Sequence, residues 1–425
     1  SWSRHYRGFP GQGDLPLDRF MAALQTTGFD GLVSLEIFSD RFRAGSARSV
    51  AIDGQRSLLF MLDNLRRTTG AAVRGIRPLP PAAAVQGVEF LEFAMDDASA
   101  GGFEAVLEGL GFARVGVHRS KDVAHWRQGQ VNLVVNREKE GFAHSFNIAH
   151  GPSVCAMALR VGDAAATVER AVRLLDQPFR QAVGPGELNI PAVRGVGGSL
   201  LYFVDGKSEL GRLWDVDFAP VAVKDAAGVG LTRFDHISQS MQYEEMLAWL
   251  LFYTSLFDLR KAPVQDVLDP GGVVQSQAVE SAGGEIRLVL NASQSRQTMA
   301  SRFLDDFFGS GVQQIAFACD DIFATVERLR DNGIALLPIP ENYYDDLEVR
   351  FDIDGALLDR LRTDNILYDR DGDAEFFHVY TRTQPGGFFF EIVERRAYKG
   401  YGAANAPIRL AAQARLARNP AIPRL

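Results

Sequence analysis

Three polar side chains lie in otherwise apolar, strand-like segments of the second half of the chain. They are His236 in RFDHIS, Gln314 in GVQQIAF and Glu391 in GFFFEIVE, at nearly equal intervals. Donors on three strands can hold one metal ion from one side, as in a 2-His-1-carboxylate facial site. Here an amide replaces the second imidazole. Because an amide oxygen is harder and neutral, the set suits Mg²⁺, Mn²⁺ or Ca²⁺ at least as well as iron.

The three segments belong to the later copy of an internal repeat. Residues 159–170 align with residues 317–328, and residues 197–205 align with residues 386–394. Each copy is predicted to run strand, helix and several strands, twice over. The two copies span residues 87–218 and 231–398.

The earlier copy carries no such donors. Phe90, Ala156 and Tyr202 stand where the later copy has the histidine, the glutamine and the glutamate. A single metal site predicts that all three donors are present in one copy and that all three are absent from the other. The alternative is that the three polar residues are unrelated and half exposed.

The residues ahead of the repeat have an α/β pattern. Residues 17–27 and 50–68 predict helices, and residues 32–38 predict a buried strand with one carboxylate, Glu36. A charge in an apolar strand is costly unless it is paired or bound to metal. Both alternatives remain open for Glu36. Residues 67–86, rich in Gly, Pro and Ala, predict a linker.

The bulk composition limits the classes of function. The chain has 425 residues, enough for two or three domains, and a net charge of -8 without a basic block. Nucleic acid and anionic membranes are therefore poor partners, and a small-molecule substrate is expected. No apolar run is long enough to span a bilayer. Cys155 and Cys319 alone indicate a reducing compartment, so a cytoplasmic protein is predicted, with homo-oligomer formation left open.

Other candidates carry weaker signals. Residues 403–417 predict a C-terminal helix, for which ordinary packing on the sheet is one role. His378 lies in an alternating strand and faces either the pocket or the surface, so it is left out of the metal set. The remaining histidines are assigned no site, with His144 and His150 interpreted as structural and His118 and His125 as solvated.

Residues 231–412 resemble the C-terminal module of the 4-hydroxyphenylpyruvate dioxygenase family, in the vicinal-oxygen-chelate superfamily. The resemblance implies an α+β fold of paired βαβββ modules around a mononuclear site, with residues 87–218 as a degenerate first module. It implies His236 and Glu391 as metal ligands, with the family's second histidine falling on Gln314. It also implies that the C-terminal helix covers the His236 site, as the alternative to simple packing on the sheet. The matching motifs are GVQQIAF at 311–317, PENYY at 340–344, LYDRD at 367–371, residues 388–395 and GYGAAN at 400–405.

Residues 1–66 resemble the closing βα units of a xylose-isomerase-like sugar phosphate isomerase barrel. The motifs are HYRGFPGQGDLP at 5–16, TGFDG at 27–31 and SLEIF at 34–38. A barrel of this kind fused to a dioxygenase-like tail resembles the two-domain bacterial 3-dehydroshikimate dehydratase family.

This second resemblance implies a lyase that converts 3-dehydroshikimate to protocatechuate and water in quinate and shikimate breakdown. It implies Glu36 as the last metal ligand of the barrel, and Ser3 and Arg7 as residues near the substrate. The cofactor implied is a divalent metal, Mg²⁺, Mn²⁺ or Co²⁺, with Fe²⁺ as an alternative at the His236 site.

A complete barrel needs about 250 residues, and two of its eight βα units are recognisable. The chain is therefore expected to be a C-terminal portion that lacks most of the lyase site. Two further hypotheses stay open: an active 2-oxoacid dioxygenase using the three donors, and a structural module whose site is empty. The expected division is a barrel fragment at 1–66, a linker at 67–86, modules at 87–218 and 231–398, and a tail at 399–425.

Overall fold

The computed structural model describes residues 5–40, 42, 45–70, 77–223 and 228–417. Helices α1, Leu17–Thr26, and α2, Ala47–Thr69, precede two large sheets and match the predicted helices to within three residues at each end. None of the helices in these ranges is both long enough and apolar enough to cross a membrane.

Helix α2 is anchored to the first sheet's helical layer by one fully buried and one partly buried ion pair. Arg56 Nη2 lies 2.5 Å from Asp176 Oδ1, and Arg170 Nη1 lies 3.2 Å from Asp63 Oδ2. Arg170 and Asp63 are both fully buried. Breaking a buried pair by removing one partner leaves an uncompensated charge, so these contacts fix the position of α2.

The prediction of a buried strand at residues 32–38 is wrong. The segment is irregular, Leu32 is 99% exposed and Glu36 is exposed. A strand buried on both faces needs neighbouring strands and covering layers. Among the described residues, the β contact nearest this segment is a single bridge between Tyr6 and Ser39.

The predicted linker, residues 67–86, is ordered over most of its described part. Helix α2 continues to Thr69, and Ala83 forms a bridge with Phe257 before the first strand begins at Val85. Residues 71–76 lie outside the described ranges.

Within the described ranges, the first sheet has nine strands in the order β6-β7-β8-β5-β1-β4-β3-β2-β9. Its strands are β1 Val85–Ala94, β2 Ala113–His118, β3 Val123–Gln128, β4 Val131–Asn136, β5 Ser153–Val161, β6 Pro178–Phe179, β7 Ala192–Arg194, β8 Leu200–Val204 and β9 Phe218–Pro220. Its helices are α3 Asp97–Gly109, α4 Gly141–His150, α5 Ala164–Arg173 and α6 Leu213–Val216, with 3₁₀ turns at Val196–Gly198 and Glu209–Arg212.

The second sheet also has nine strands among the residues that the structure describes, in the order β11-β13-β14-β10-β15-β18-β17-β16, with β12 paired to β13. Its strands are β10 Leu231–Gln242, β11 Arg260–Lys261, β12 Gln265–Asp269, β13 Gly272–Glu280, β14 Arg287–Ser293, β15 Gly311–Cys319, β16 Leu367–Asp371, β17 Ala374–Tyr380 and β18 Phe389–Arg396. Its helices are α7 Met246–Leu256, α8 Met299–Phe307, α9 Ile322–Asp331, α10 Glu341–Arg350, α11 Gly355–Asp364 and α12 Ala406–Ala417, with a 3₁₀ turn at Ala403–Asn405.

The repeat in the sequence is a repeat in topology. Strand β1 is parallel to β4 and antiparallel to β5, which is parallel to β8. Strand β10 is parallel to β14 and antiparallel to β15, which is parallel to β18. Even the irregularities coincide: one register shift lies between Val88 and Phe90, and its counterpart lies between Phe234 and His236.

The main hydrophobic core lies between the two sheets. Phe93 of the first sheet meets Phe388 beside the second at a ring distance of 5.4 Å, and Phe112 meets Phe317 at 5.6 Å. Because successive side chains of a strand point to opposite faces, each sheet turns its other face away from this core. Those outer faces are the places where polar side chains can gather.

The sheets also meet at a glycine turn that generates a stability prediction. Gly197 has φ 64°, and a Cβ added there would lie 1.7 Å from the backbone oxygen of Ser310. The adjacent Gly198 has φ 78°, and a Cβ there would meet nothing within 4 Å.

We expect Gly198→Ala to lower the free energy of unfolding by about 1 kcal/mol, because the only penalty is that alanine must adopt a left-handed backbone conformation. Gly197→Ala should cost roughly 1–3 kcal/mol more, because it also forces the sheets apart. Urea unfolding followed by fluorescence measures both. Equal destabilisation by the two variants would show that the Gly197–Ser310 approach is not a tight contact.

Candidate metal centre

The side-chain tips of His236, Gln314 and Glu391 share one buried space. His236 Nε2 lies 3.0 Å from Glu391 Oε2, and Gln314 Nε2 lies 3.0 Å from His236 Nε2 and 2.5 Å from Glu391 Oε2. All three side chains are buried. A half-turn of the amide would present its oxygen to the same space. We call these three residues the trio.

Strand register brings the trio together. His236 on β10 is paired with Ala316 on β15, which is paired in turn with Glu391 on β18. Gln314 lies two residues before Ala316, on the same face, and pairs with Ser238. The register shift next to His236 re-aims its side chain, as β-bulges do beside functional sites.

A buried ion pair orients the imidazole of His236. Its Nδ1 lies 2.7 Å from Asp235 Oδ1, and Asp235 is held in a bidentate contact by Arg395, at 2.5 and 2.7 Å. Burial alone would raise the pKa of Asp235, but Arg395 and His236 outweigh it and hold that pKa well below its usual value. With Nδ1 engaged by a carboxylate, Nε2 is directed at the other two members of the trio.

A second chain of hydrogen bonds orients Glu391. His378 Nδ1 lies 2.6 Å from Glu391 Oε1, and His378 Nε2 lies 3.0 Å from Asn405 Nδ2. Tyr343 donates its hydroxyl to Asn405 Oδ1 at 3.2 Å. Burial would raise the pKa of Glu391, but His236 and His378 lower it to about 2. The carboxylate is therefore ionised at neutral pH.

His378 faces the pocket, which is one of the two alternatives that its alternating strand left open, and it contacts Glu391 from outside the trio. The side chain is fully buried and lies on the same face of β17 as Tyr380, whose backbone pairs with Glu391. The signal available was the alternation along β17 together with the Asn405 motif. Period-2 alternation does not say which of two faces is the pocket.

Two members of the trio, His236 and Gln314, line a small cavity of about 50 Å³ that helix α12 covers. Arg409 and Leu410 of this helix line the cavity with His236, as do Ser238 and Tyr380. The predicted C-terminal helix therefore exists and covers the site. Leu410 of this helix is buried, whereas Leu416 is 48% exposed.

The donor set fits a divalent cation that prefers oxygen and nitrogen ligands. It combines an ionised carboxylate, a neutral amide and an imidazole directed by a carboxylate behind it. No group of three or more His, Cys, Asp or Glu side chains in the described part of the chain is arranged to hold a metal ion. The trio contains only two residues of these four types, because its third member is a glutamine, Gln314.

The other predicted site residues do not join this centre. Glu36 is exposed on an irregular segment. Among the described residues, it does not come together with other His, Cys, Asp or Glu side chains in a group that could hold a metal ion. Arg7 donates its backbone N–H to Phe38 O at 3.1 Å, and its guanidinium lies 5.3 Å from the Phe38 ring. Ser3 lies outside the described residues.

The prediction that His125 is solvated is wrong. Its Nε2 lies 2.9 Å from Asn132 Oδ1, and its ring stacks on Trp214 at 3.8 Å. Burial lowers the pKa of His125 to about 4. Charged neighbours in the sequence concealed the fact that alternate residues of β3 face the interior.

Comparisons with known proteins connect both sheets and the N-terminal segment to one group of enzymes. Residues 80–219 match the model described as hydroxyphenylpyruvate dioxygenase, N-terminal, and residues 233–372 match the glyoxalase/bleomycin resistance protein/dioxygenase superfamily. The 3-dehydroshikimate dehydratase of Pseudomonas aeruginosa is 48% identical over 98% of this chain and 67% of its own length. This chain belongs to the 3-dehydroshikimate dehydratase family.

Two further proteins are similar to most of this dehydratase family member. The 4-hydroxyphenylpyruvate dioxygenase of Pseudomonas aeruginosa is 35% identical over 75% of this chain and 90% of its own length. A solved xylose isomerase-like TIM barrel/4-hydroxyphenylpyruvate dioxygenase fusion protein superposes with a TM-score of 0.87 and 47% identity, over 98% of this chain and 67% of that chain. The chain thus spans about two thirds of the curated dehydratase and of the fusion protein, and its sheets are of the vicinal-oxygen-chelate type.

The His378–Glu391 contact predicts a positioning effect on cation binding. In His378→Ala, a buried carboxylate oxygen loses its partner, which costs about 1–3 kcal/mol of stability. Divalent-cation affinity should fall about 10- to 100-fold, as for other outer-shell changes. Titration with Mn²⁺, followed by electron paramagnetic resonance of the free ion, measures the affinity.

The matched control is His144→Ala, on helix α4 of the first sheet, which should leave Mn²⁺ affinity unchanged. A folded His378→Ala protein with the affinity of the parent would contradict the positioning role.

Proposed function

We propose that this chain is part of a metal-dependent 3-dehydroshikimate dehydratase, a lyase that forms protocatechuate and water in quinate and shikimate breakdown. The observation that carries this proposal is the 48% identity with the Pseudomonas aeruginosa dehydratase over 98% of the chain. That match extends through the residues ahead of the sheets as well as through the dioxygenase-like part. The substrate is a small molecule.

The trio is proposed to hold a divalent cation, with Mg²⁺, Mn²⁺ or Co²⁺ favoured and Fe²⁺ as an alternative. Support comes from the contacts of 3.0 Å or less that join all three tips and from the ionised state of Glu391. A bound cation would polarise an oxygen atom placed on it.

The chain's own groups set the conditions for such a ligand. Asp235 holds Nδ1 of His236, so the imidazole cannot turn away from the trio. Arg409, on the wall formed by α12, provides a positive charge facing the same cavity. Helix α12 forms one wall of that cavity. A ligand with an anionic group is therefore suited to this site.

The N-terminal segment is proposed to contribute to the lyase site as part of a sugar phosphate isomerase-like barrel. Ser3 and Arg7 would contact substrate and Glu36 would ligate metal. In support, the segments that carry Arg7 and Glu36 run side by side, joined by the Arg7 N–H to Phe38 O bond and by Asp40 N–H to His5 O at 2.8 Å. The proposed division is 1–66, 67–86, 87–218, 231–398 and 399–425.

An active 2-oxoacid dioxygenase is the second candidate, favoured by 35% identity over 90% of a 4-hydroxyphenylpyruvate dioxygenase. Gln314 argues against it. Oxygen activation by non-haem iron uses two imidazoles and a carboxylate, and here a neutral amide replaces one imidazole.

The predicted activity can be measured on protein expressed from the complete coding sequence that contains these residues. With 3-dehydroshikimate and Mg²⁺, Mn²⁺ or Co²⁺, we expect protocatechuate to form, and we expect chelation to abolish its formation reversibly. An oxygen electrode should record no uptake with Fe²⁺ and 4-hydroxyphenylpyruvate.

Failure to form protocatechuate after metal is restored would contradict the lyase proposal. Oxygen uptake that disappears in Glu391→Ala would establish the dioxygenase instead. Glu348→Ala, an exposed change on α10, serves as the control in both assays.

A further inference from the structure

The first sheet encloses a cavity of about 480 Å³ on the face that corresponds to the trio's face in the second sheet. Phe90 and Tyr202 stand at the positions of His236 and Glu391, and both are paired with Ala158 between them. The first sheet therefore lacks the metal-ligating side chains but has a cavity at the equivalent place. Cavities of this size bind small molecules.

One carboxylate takes the place of the missing donors. Glu92, at the position of Ser238, lines the cavity, and Asn136 Nδ2 donates to its Oε1 at 2.7 Å. The amide of Asn136 is fixed, because its Oδ1 accepts from the backbone N–H of Glu138 at 2.9 Å. Burial raises the pKa of Glu92, against the effects of Asn136 and Lys121. A cationic ligand would replace the hydration that this carboxylate has lost.

The cavity lining carries a clear excess of negative charge. Lys121 is its one lysine, and its Nζ lies 2.7 Å from Glu187 Oε2, so its charge is already neutralised. Burial lowers the pKa of His118, which leaves this ring uncharged at neutral pH. The lining carboxyl groups are Glu92, Glu138, Glu140, Glu187 and Asp217.

Among these carboxyl groups, Glu187 has the lysine as its partner. Burial would raise its pKa, but hydrogen bonds from Lys121, Ser120 and the backbone of Gly184 lower it to about 2. The other carboxyl groups still outnumber the cations. The cavity therefore repels carboxylates and attracts cations.

Aromatic rings form the wall of the cavity near Glu92. Phe90 lies 6.0 Å from Tyr202 and 5.7 Å from Trp214, between ring centroids. The indole of Trp214 is fixed, because its Nε1 donates to Glu89 Oε1 at 2.8 Å. Ring faces attract ammonium groups and also pack against apolar bodies.

We propose that this cavity binds a small organic cation, an amine with an aromatic or alkyl body. Its ammonium group contacts Glu92, and its body packs against Phe90, Tyr202 and Trp214. This binding site is separate from the trio. Its function is distinct from the proposed dehydratase activity. The fixed carboxylate of Glu92 selects ligands by their positive charge, and the preformed aromatic wall selects among them by shape.

Calorimetric titration of the full chain with phenethylamine tests the proposal, with 3-phenylpropionate as the matched anion. Both probes have the same ring and the same two-carbon spacer, with opposite charges. We expect phenethylamine to bind and to change the fluorescence of Trp214. We expect 3-phenylpropionate to bind at least tenfold more weakly.

Glu92→Gln keeps the size of the side chain and its bond with Asn136 but removes the charge. It should weaken phenethylamine binding at least tenfold, whereas Glu108→Gln, an exposed change on α3, should leave it unaltered. Absence of phenethylamine binding, or equal affinity for the two probes, overturns the proposal. Unchanged binding by a folded Glu92→Gln protein overturns it too, and the comparison of probes decides the matter if that variant does not fold.

Discussion

The chemistry of this protein depends on the alternation of side chains along bulged strands. In both sheets one face of the central strands packs into the shared core, and the other face encloses a cavity of its own. A register shift at the same point of β1 and β10 turns Phe90 and His236 onto the cavity face. The same backbone device therefore produces an aromatic wall in one sheet and an imidazole donor in the other.

The second sheet connects its candidate metal centre to the rest of the fold through hydrogen bonds behind the donors. Asp235 and Arg395 hold His236, and His378 holds Glu391. Asn405 extends the latter chain into the C-terminal segment that ends in α12. Packing of this segment and orientation of the carboxylate are thus coupled, because the same residues serve both.

Residue types and their spacing were enough to predict the three members of the trio, but they were not enough to predict the residues that surround it. Polar residues in three apolar strands, absent from the first copy, pointed to one site, and register explains how they converge. The role of His378 stayed open because alternation alone does not show which face of a strand points inward. The segment at residues 32–38 was predicted wrongly because burial of a strand depends on neighbouring strands, which its own apolar sequence does not supply.

The most direct test of the account is anomalous diffraction from crystals equilibrated with Mn²⁺. We predict one strong peak at about 2.0–2.6 Å from His236 Nε2, the Gln314 amide oxygen and the Glu391 carboxylate. The same peak should be absent from Glu391→Ala crystals. Saturating Mn²⁺ that leaves the space between the three side chains without a peak would contradict the central claim.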